Sequence, residues 1–187
     1  MRVYLVRHGK DDDAVRGGWS DQGLAELGRE QVVQLAEKLR AGSIRVGRIY
    51  SSDLRRAKET AGILSEALGC PVEYLAAFRE TNNGDLAGMK NELAERKYPG
   101  LYWSSLAYDE PYPNGESPKA FFERIQMAWD AFKNDRLKQD NADVMLVTHA
   151  GVIEAILCIE NGLEFSNQEK YFRIPHAALI PVEIEME

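Results

Sequence analysis

Residues Met1 to Lys10 read MRVYLVRHGK, an apolar run that ends directly at Arg7, His8 and Gly9. The run predicts a buried strand, and in open α/β sheets ligands bind at the carboxyl ends of the strands. Arginine offers a planar set of donors to an anion, and histidine can act as a base or nucleophile near neutral pH. Glycine lets the backbone turn sharply or approach another group closely. This strand end is therefore a candidate functional site.

A second strand is predicted within residues 44–50, ending in polar residues, and a strong helical pattern follows it at once. Asp53 or Ser52 is the expected N-cap of that helix. Arg55 and Arg56 fall in its first turn, where the helix dipole disfavours cations. This mismatch suggests that at least one of the two arginines is directed at a bound anion.

A third stretch repeats the arrangement of the first. Residues 144–147 are fully apolar, as in a buried parallel strand, and lead through Thr148-His149-Ala150-Gly151 into an apolar helix. The loop FRETNNGDLAGM adds one carboxylate, Glu80. Because the ends of parallel strands meet at one edge of a sheet, histidines, arginines and a carboxylate are expected to share one crevice.

The apolar pattern also predicts three further helices: one over residues 24–39 that ends near Gly42, a short one over 90–97, and a long one that begins at Ser117 and Pro118. It predicts two further strands, one over residues 71–74 and a final edge strand over 177–186 that Pro181 interrupts. His176 is expected to be structural, and Asp11 to Asp13 are expected to form a solvated loop. Residues 98–116, rich in Tyr, Pro and Trp, are expected to form a lid or wall of a pocket.

Composition narrows the class of protein. The chain has 187 residues, enough for one α/β domain, and a formal net charge of -7, which argues against binding to nucleic acid or to an anionic membrane. Cys70 and Cys158 lie far apart and are expected to be reduced core thiols. No signal peptide or membrane span is evident, so a cytoplasmic protein is expected.

Two histidines, arginines and a carboxylate together suit phosphoryl transfer through a covalent intermediate. An imidazole attacks phosphorus, arginines hold the phosphoryl oxygens, and the carboxyl group protonates the leaving alkoxide and then activates water. This chemistry needs no metal ion and no other cofactor. Asp11 to Asp13 do not predict a metal site, because three consecutive residues on a loop point in different directions.

Five segments resemble, in this order, the histidine phosphatase superfamily in its phosphoglycerate-mutase-like branch: LVRHGK, SSDLRRAKETA, FRETNNGDLAGM, NGES and LVTHAGVI. The resemblance spans nearly the whole chain. It implies an α/β fold, a three-layer αβα sandwich with a mostly parallel central sheet. It also implies a single domain over residues 1–187, with the lid or wall insertion around 98–116.

The resemblance assigns a role to each matching position. His8 would be the phosphorylated nucleophile, with Arg7 beside it in the phosphate pocket. Arg56 would be the second phosphate clamp, which leaves Arg55 facing solvent. Glu80 would be the proton donor, and His149 would hydrogen-bond the transferring phosphoryl group.

Substrate identity is not carried over, because the chain departs from the family pattern near the substrate. Lys10, a candidate substrate contact, stands where the family usually has Glu or Gln, and Ala150 replaces a common Gly. The expected activity is hydrolysis of a small-molecule phosphomonoester. The alternatives are a small-molecule phosphomutase, or a catalytically weak member that binds a phosphorylated ligand or protein. A second copy of the chain, in a homodimer, is a further candidate partner.

Overall fold

The computed structural model describes residues 1–185 and is organised around a five-stranded sheet of order β3-β2-β4-β1-β5. All neighbouring strands pair in parallel except β5, which runs antiparallel to β1 at the sheet edge. The strands are β1 (Arg2–Arg7), β2 (Arg48–Ser51), β3 (Val72–Tyr74), β4 (Val144–Thr148) and β5 (Leu179–Glu183). The second strand begins later than the apolar pattern predicted. The last residue of the predicted final strand, Met186, lies outside the described residues.

Alternation of side chains along each strand divides the core into two halves. In β1, Val3 and Leu5 belong to one buried cluster, while Tyr4 and Val6 belong to the other. Successive residues of a strand point to opposite faces of the sheet, so each cluster occupies one face. Helices cover both faces, and the predicted three-layer αβα sandwich with a mostly parallel sheet is confirmed.

The helices are α1 (Glu26–Ala41), α2 (Arg55–Leu68), α3 (Asn91–Lys97), α4 (Pro118–Ala131) and α5 (Ala150–Asn161). The helices α1 and α2 pack together on one face of the sheet, and α4 and α5 pack together on the other. Ser117 caps α4 as predicted, since its side chain accepts a hydrogen bond from the Ala120 amide.

The predicted N-cap of α2 was wrong. Leu54 occupies the N-cap position, without a side-chain cap. The Asp53 carboxylate instead accepts two hydrogen bonds from the Arg79 guanidinium, at 2.6 Å each. A paired, charge-assisted interaction of this kind outcompetes a single bond to a backbone amide. It ties the loop before Glu80 to the end of β2.

Residues 98–116 contain one short 3₁₀ turn, Trp103–Ser105, and are otherwise irregular. Leu106 and Tyr112 bury their side chains with Leu86 in a small cluster separate from the two main halves of the core. The segment therefore has an apolar anchor of its own. Among residues 1–185, no helix has both the length and the apolar composition that a membrane crossing requires.

Candidate active site

His8 follows the last residue of β1 and is almost fully buried, with 4% of its surface exposed. The next residue, Gly9, passes so close to α1 that an added Cβ would lie 2.3 Å from the Gly28 carbonyl oxygen. The predicted need for glycine at this position thus comes from close packing against α1. This packing restrains the backbone directly after His8.

The hydrogen bonds of His8 fix its tautomer. Its Nδ1 lies 2.7 Å from the Gly9 carbonyl oxygen, which can only accept, so Nδ1 carries the proton. Nε2 then carries a lone pair, which accepts a hydrogen bond from the Nε–H of Arg56 at 3.3 Å. Burial, followed by the Arg56 guanidinium, lowers the pKa of His8 well below its usual range. The ring is therefore neutral near pH 7, as a nucleophile requires.

Arg56 comes from the first turn of α2 and is 2% exposed. It donates to the Gly18 carbonyl oxygen at 2.7 Å and lies 3.4 Å from both oxygens of Ser20. Arg55, its neighbour, is exposed and pairs with Glu59 along the same helix. The structure thus separates the two arginines as the resemblance implied.

His149 lies between β4 and α5, fully buried, with its ring centroid 5.1 Å from that of His8. Its Nε2 is 2.8 Å from the Ser52 hydroxyl, at the end of the neighbouring strand β2. Its Nδ1 is buried and has no hydrogen-bond partner among the described residues. Burial, then Arg56, lowers the pKa of His149 well below its usual range.

Arg7 is the fourth side chain of this group. Its guanidinium donates to the Ile174 carbonyl oxygen at 2.7 Å and contacts His176 Nε2 at 2.9 Å, while its buried Nε has no partner among the described residues. We call Arg7, His8, Arg56 and His149 the anion pocket. The ends of β1, β2 and β4 and the start of α2 bring these four side chains together, as predicted.

Glu80 is held at the N-terminus of α5. Its carboxylate oxygens accept hydrogen bonds at 3.1 Å from the amides of Thr81 and Gly151. An added Cβ on Gly151 would lie 2.5 Å from Glu80 Oε1, so only glycine leaves room for the carboxylate there. Glu80 and Arg7 line the same cavity, so the residue predicted to be the proton donor lies beside the anion pocket.

Arg124 of α4 fixes the backbone that carries Glu80, a role that the sequence did not reveal. Its guanidinium donates to the carbonyl oxygens of Ala77, Arg79 and Glu80, and it forms two bonds to the Glu116 carboxylate. No sequence signal marks this residue, because it lies in the middle of a regular helix.

Two residues expected elsewhere lie against the anion pocket. His176, predicted to be structural, contacts Arg7, and its ring centroid is 5.7 Å from that of His8. Asp11, predicted to be solvated, turns inward, and its Oδ2 lies 3.4 Å from Arg56 Nε. The expectation of a solvated position was wrong for Asp11, whereas the structural role of His176 stays a prediction. The pairing of β5 with β1 determines where His176 lies, and sequence alone does not give that register.

His8, Asp11 and His176 together carry the types of side chain that can bind a metal ion. Ligand atoms of His8, Asp11 and His176 lie within 4.8 Å of one another. However, Arg56 contacts two of these side chains and Arg7 contacts the third. Two guanidinium groups so close to the donor atoms oppose a further cation, so the arrangement suits an anion.

The adjoining cavity has a volume of about 830 Å³. Its wall beyond Arg7 and Glu80 consists largely of residues 101–104 and 165–174, which we call the cavity wall. Aromatic and basic side chains of the cavity are Tyr102, Trp103, Tyr112, Phe165, Phe172, Arg16, Lys170 and Arg173. Lys10 is not among the lining residues and pairs with Asp13. Its contact with substrate stays a prediction.

Comparison with known proteins agrees with this geometry. The model of the histidine phosphatase superfamily (branch 1) matches residues 3–187. The chain belongs to the histidine phosphatase superfamily. Glucosyl-3-phosphoglycerate phosphatase of Mycolicibacterium vanbaalenii is 34% identical over 181 residues, which cover 89% of this chain and 76% of that protein.

Two further proteins illustrate the range of this histidine phosphatase's relatives. The 2,3-bisphosphoglycerate-dependent phosphoglycerate mutase of Chelativorans sp. is 28% identical over 96% of this chain and 89% of that protein. The crystal structure of the alpha-ribazole phosphatase from Shigella flexneri superposes with a TM-score of 0.84 at 22% identity, covering 99% of this chain and 91% of that one. That likeness concerns the fold alone. As a member of this superfamily with phosphatase relatives, the protein is a phosphoric monoester hydrolase.

Proposed function

We propose that the protein is a metal-independent phosphatase of small molecules and that it works through a phosphohistidine on His8. The observation that carries this proposal is the tautomer of His8. Its proton lies on Nδ1, toward the Gly9 carbonyl oxygen, which leaves the Nε2 lone pair beside Arg56. An anionic phosphoryl group held by Arg56 is then next to the nucleophile.

In the first step, the Nε2 lone pair of His8 attacks phosphorus and the bond to the alcohol oxygen breaks. Glu80 in its acid form donates a proton to the departing oxygen. In the second step, the Glu80 carboxylate takes a proton from water, which attacks phosphorus and breaks the nitrogen–phosphorus bond. The free imidazole of His8 is restored, inorganic phosphate is released, and Glu80 is again protonated.

The anion pocket would stabilise the transferring group throughout. Arg7 and Arg56 supply fixed positive charge to the equatorial oxygens, and both already have their backbone contacts, so little reorganisation is needed. The unpartnered Nδ1 of His149 has capacity for one more hydrogen bond, which a phosphoryl oxygen would satisfy.

The cavity favours a substrate whose alcohol part carries a second negative charge. Its lining includes Arg7, Arg16, Lys170 and Arg173 but only two carboxylates, Glu80 and Glu154, although the whole chain carries a net charge of -7. Lys170 and Arg173 form no ion pair within residues 1–185. Relatives named for phosphoglycerate compounds are in keeping with such a substrate.

A phosphomutase is the second candidate, favoured by the similarity to the bisphosphoglycerate-dependent mutase. It would transfer the phosphoryl group from His8 back to another hydroxyl of the substrate. Isomerised product would then form faster than inorganic phosphate, and a bisphosphate primer would be required. Measuring both products in one reaction separates the two activities.

The test of the proposed function is turnover of 4-nitrophenyl phosphate by the wild type and by His8→Ala. We expect the variant to lose essentially all activity, and we expect EDTA to leave the wild-type rate unchanged. Arg55→Ala, an exposed neighbour of the pocket, is the control and should retain full activity. Full activity of His8→Ala, or loss of wild-type activity on chelation, would contradict the mechanism.

A reducing compartment fits the chain's two cysteines. Cys70 and Cys158 are both buried and unbridged, and burial raises the pKa of Cys158 to about 11, which disfavours the reactive thiolate. We therefore propose a cytoplasmic location. A homodimer stays a proposal that light scattering of the purified chain would decide.

A further inference from the structure

Asp11 differs from the other two aspartates of its loop. Asp12 and Asp13 are exposed, whereas Asp11 turns its carboxylate inward, with 17% of its side chain exposed. Its Oδ2 lies 3.4 Å from Arg56 Nε and its Oδ1 lies 3.9 Å from His176 Nε2. A carboxylate thus reaches into a group of cations and imidazoles that otherwise suits an anionic ligand.

The contact with Arg56 involves the atom that faces the nucleophile. Arg56 Nε lies 3.3 Å from His8 Nε2 and 3.4 Å from Asp11 Oδ2, so one N–H group has two neighbours. A phosphoryl group that His8 attacks must lie against Nε2, and therefore beside the same N–H. The Asp11 carboxylate and a bound phosphoryl group would compete for this donor, and two negative groups so close repel each other.

We propose that Asp11 limits the affinity of this site for phosphate, as an internal carboxylate that competes with phosphate for Arg56. The inference rests on the proposed function, because it assigns the anion pocket to phosphate. Competition of this kind weakens the hold on inorganic phosphate after the second step. It therefore favours release of the product, inorganic phosphate, from the anion pocket.

The alternative role for Asp11 is that of a brace, a residue that holds the Arg56 side chain in position. The two roles predict opposite effects on phosphate affinity. Removal of a competitor tightens phosphate binding, whereas removal of a brace weakens it or leaves it unchanged. Arg56 has firm backbone contacts of its own at Gly18, so it does not depend on Asp11 for position.

The experiment is calorimetric titration of inorganic phosphate into the wild type, Asp11→Asn and Asp12→Asn at neutral pH and fixed ionic strength. Asp12→Asn is a matched control, because it removes the same charge from the same loop at an exposed position. We expect Asp11→Asn to lower the Kd of phosphate about tenfold, which corresponds to about 1.4 kcal/mol, and Asp12→Asn to change it less than about twofold. Asp11→Ser removes the same charge with a smaller side chain and repeats the test if the Asn variant does not fold.

An unchanged or higher Kd in Asp11→Asn would overturn the proposal, and so would equal tightening in Asp12→Asn, which would indicate a general effect of charge. Phosphate binding is measured without turnover, so failure of this proposal can be distinguished from failure of the proposed function. If the wild type and Asp11→Asn hydrolyse phosphomonoesters at equal rates and bind phosphate with equal Kd, the role of Asp11 is refuted and the proposed function is not. Tighter phosphate binding in Asp11→Asn without hydrolysis by the wild type would refute the phosphatase alone.

Discussion

The anion pocket and the cavity wall lie side by side but are built from different kinds of structure. The pocket residues Arg7 and His149 lie at or just after ends of adjacent parallel strands, and Arg56 lies in the first turn of a helix. The cavity wall, residues 101–104 and 165–174, has one 3₁₀ turn and is otherwise irregular. Under the proposed function, the groups that would hold the phosphoryl group thus lie on the sheet, while the groups that would contact the rest of the substrate lie on connecting segments.

The largest expected effect is on catalysis, and it comes from substitution of Glu80, which lies where the anion pocket meets the cavity. Glu80→Gln should lower kcat/KM for an alkyl phosphate, which reports the steps up to departure of the alcohol, by a factor on the order of 10²–10⁴, because the alkoxide needs a proton to depart. The loss should be much smaller for 4-nitrophenyl phosphate, whose leaving group departs as an anion. Steady-state kinetics on both substrates checks this difference. Equal losses on both would exclude Glu80 as the proton donor.

A smaller effect is expected at Arg16, which lines the cavity and lies with its guanidinium carbon 4.1 Å above the centre of the Tyr102 ring. Its buried Nε has no partner among the described residues, so it can donate to a second anionic group of the substrate. Arg16→Gln should raise KM for O-phosphoserine about tenfold, as expected for one lost hydrogen bond to a charged group. KM for O-phosphoethanolamine, which lacks the carboxylate, should stay within about twofold.

Arg55→Gln serves as the control for this comparison, since Arg55 is exposed and, within residues 1–185, forms an ion pair only with Glu59 of its own helix. It should leave both KM values unchanged. If Arg16→Gln raises KM for both substrates equally, Arg16 does not distinguish them, and the proposed contact with a second anionic group is refuted.

The smallest effect concerns the ion pair that joins the Glu80 loop to β2. The hydrogen bonds from Arg79 lower the pKa of Asp53, so this pair stabilises the fold above the pKa of Asp in the unfolded chain, about 3.9. The stabilisation is lost as pH falls through the lower, folded pKa. Asp53→Asn should therefore reduce the free energy of unfolding by about 1 kcal/mol at pH 7, and the difference from wild type should shrink toward acid pH.

Urea denaturation at several pH values measures this effect, and Arg79→Gln provides the partner variant. The double variant should be no less stable than either single one, because both remove the same interaction. A difference between wild type and Asp53→Asn that grows toward acid pH would contradict the assigned pairing.

The contrast between pocket and wall also explains what the sequence could predict. His8, Arg56 and His149 each stand next to a predicted strand or at a helix start, and parallel strands place such ends together. The packing of helices on both faces of the sheet agrees with the same apolar patterns, whereas the order of the strands was not predicted. The sequence was therefore sufficient for the fold class and for the groups of the anion pocket.

Residues that reach the pocket from a distance could not be predicted in this way. His176 depends on the antiparallel register in which Val6 lies opposite Leu179. Asp11 depends on the path of one irregular loop, and Arg124 depends on how α4 lies across the Glu80 loop. Each of these contacts is set by tertiary packing, for which a single sequence carries no periodic signal.

The central claim, a covalent phosphate on His8, is tested most directly by trapping the intermediate. The enzyme is mixed with ³²P-labelled phosphomonoester, quenched in alkali, digested and analysed by mass spectrometry, with His8→Ala treated in parallel. We expect alkali-stable, acid-labile phosphate on the peptide that contains His8 and none in the variant. Phosphate on His149 or His176, or turnover without any phosphorylated enzyme, would contradict the mechanism.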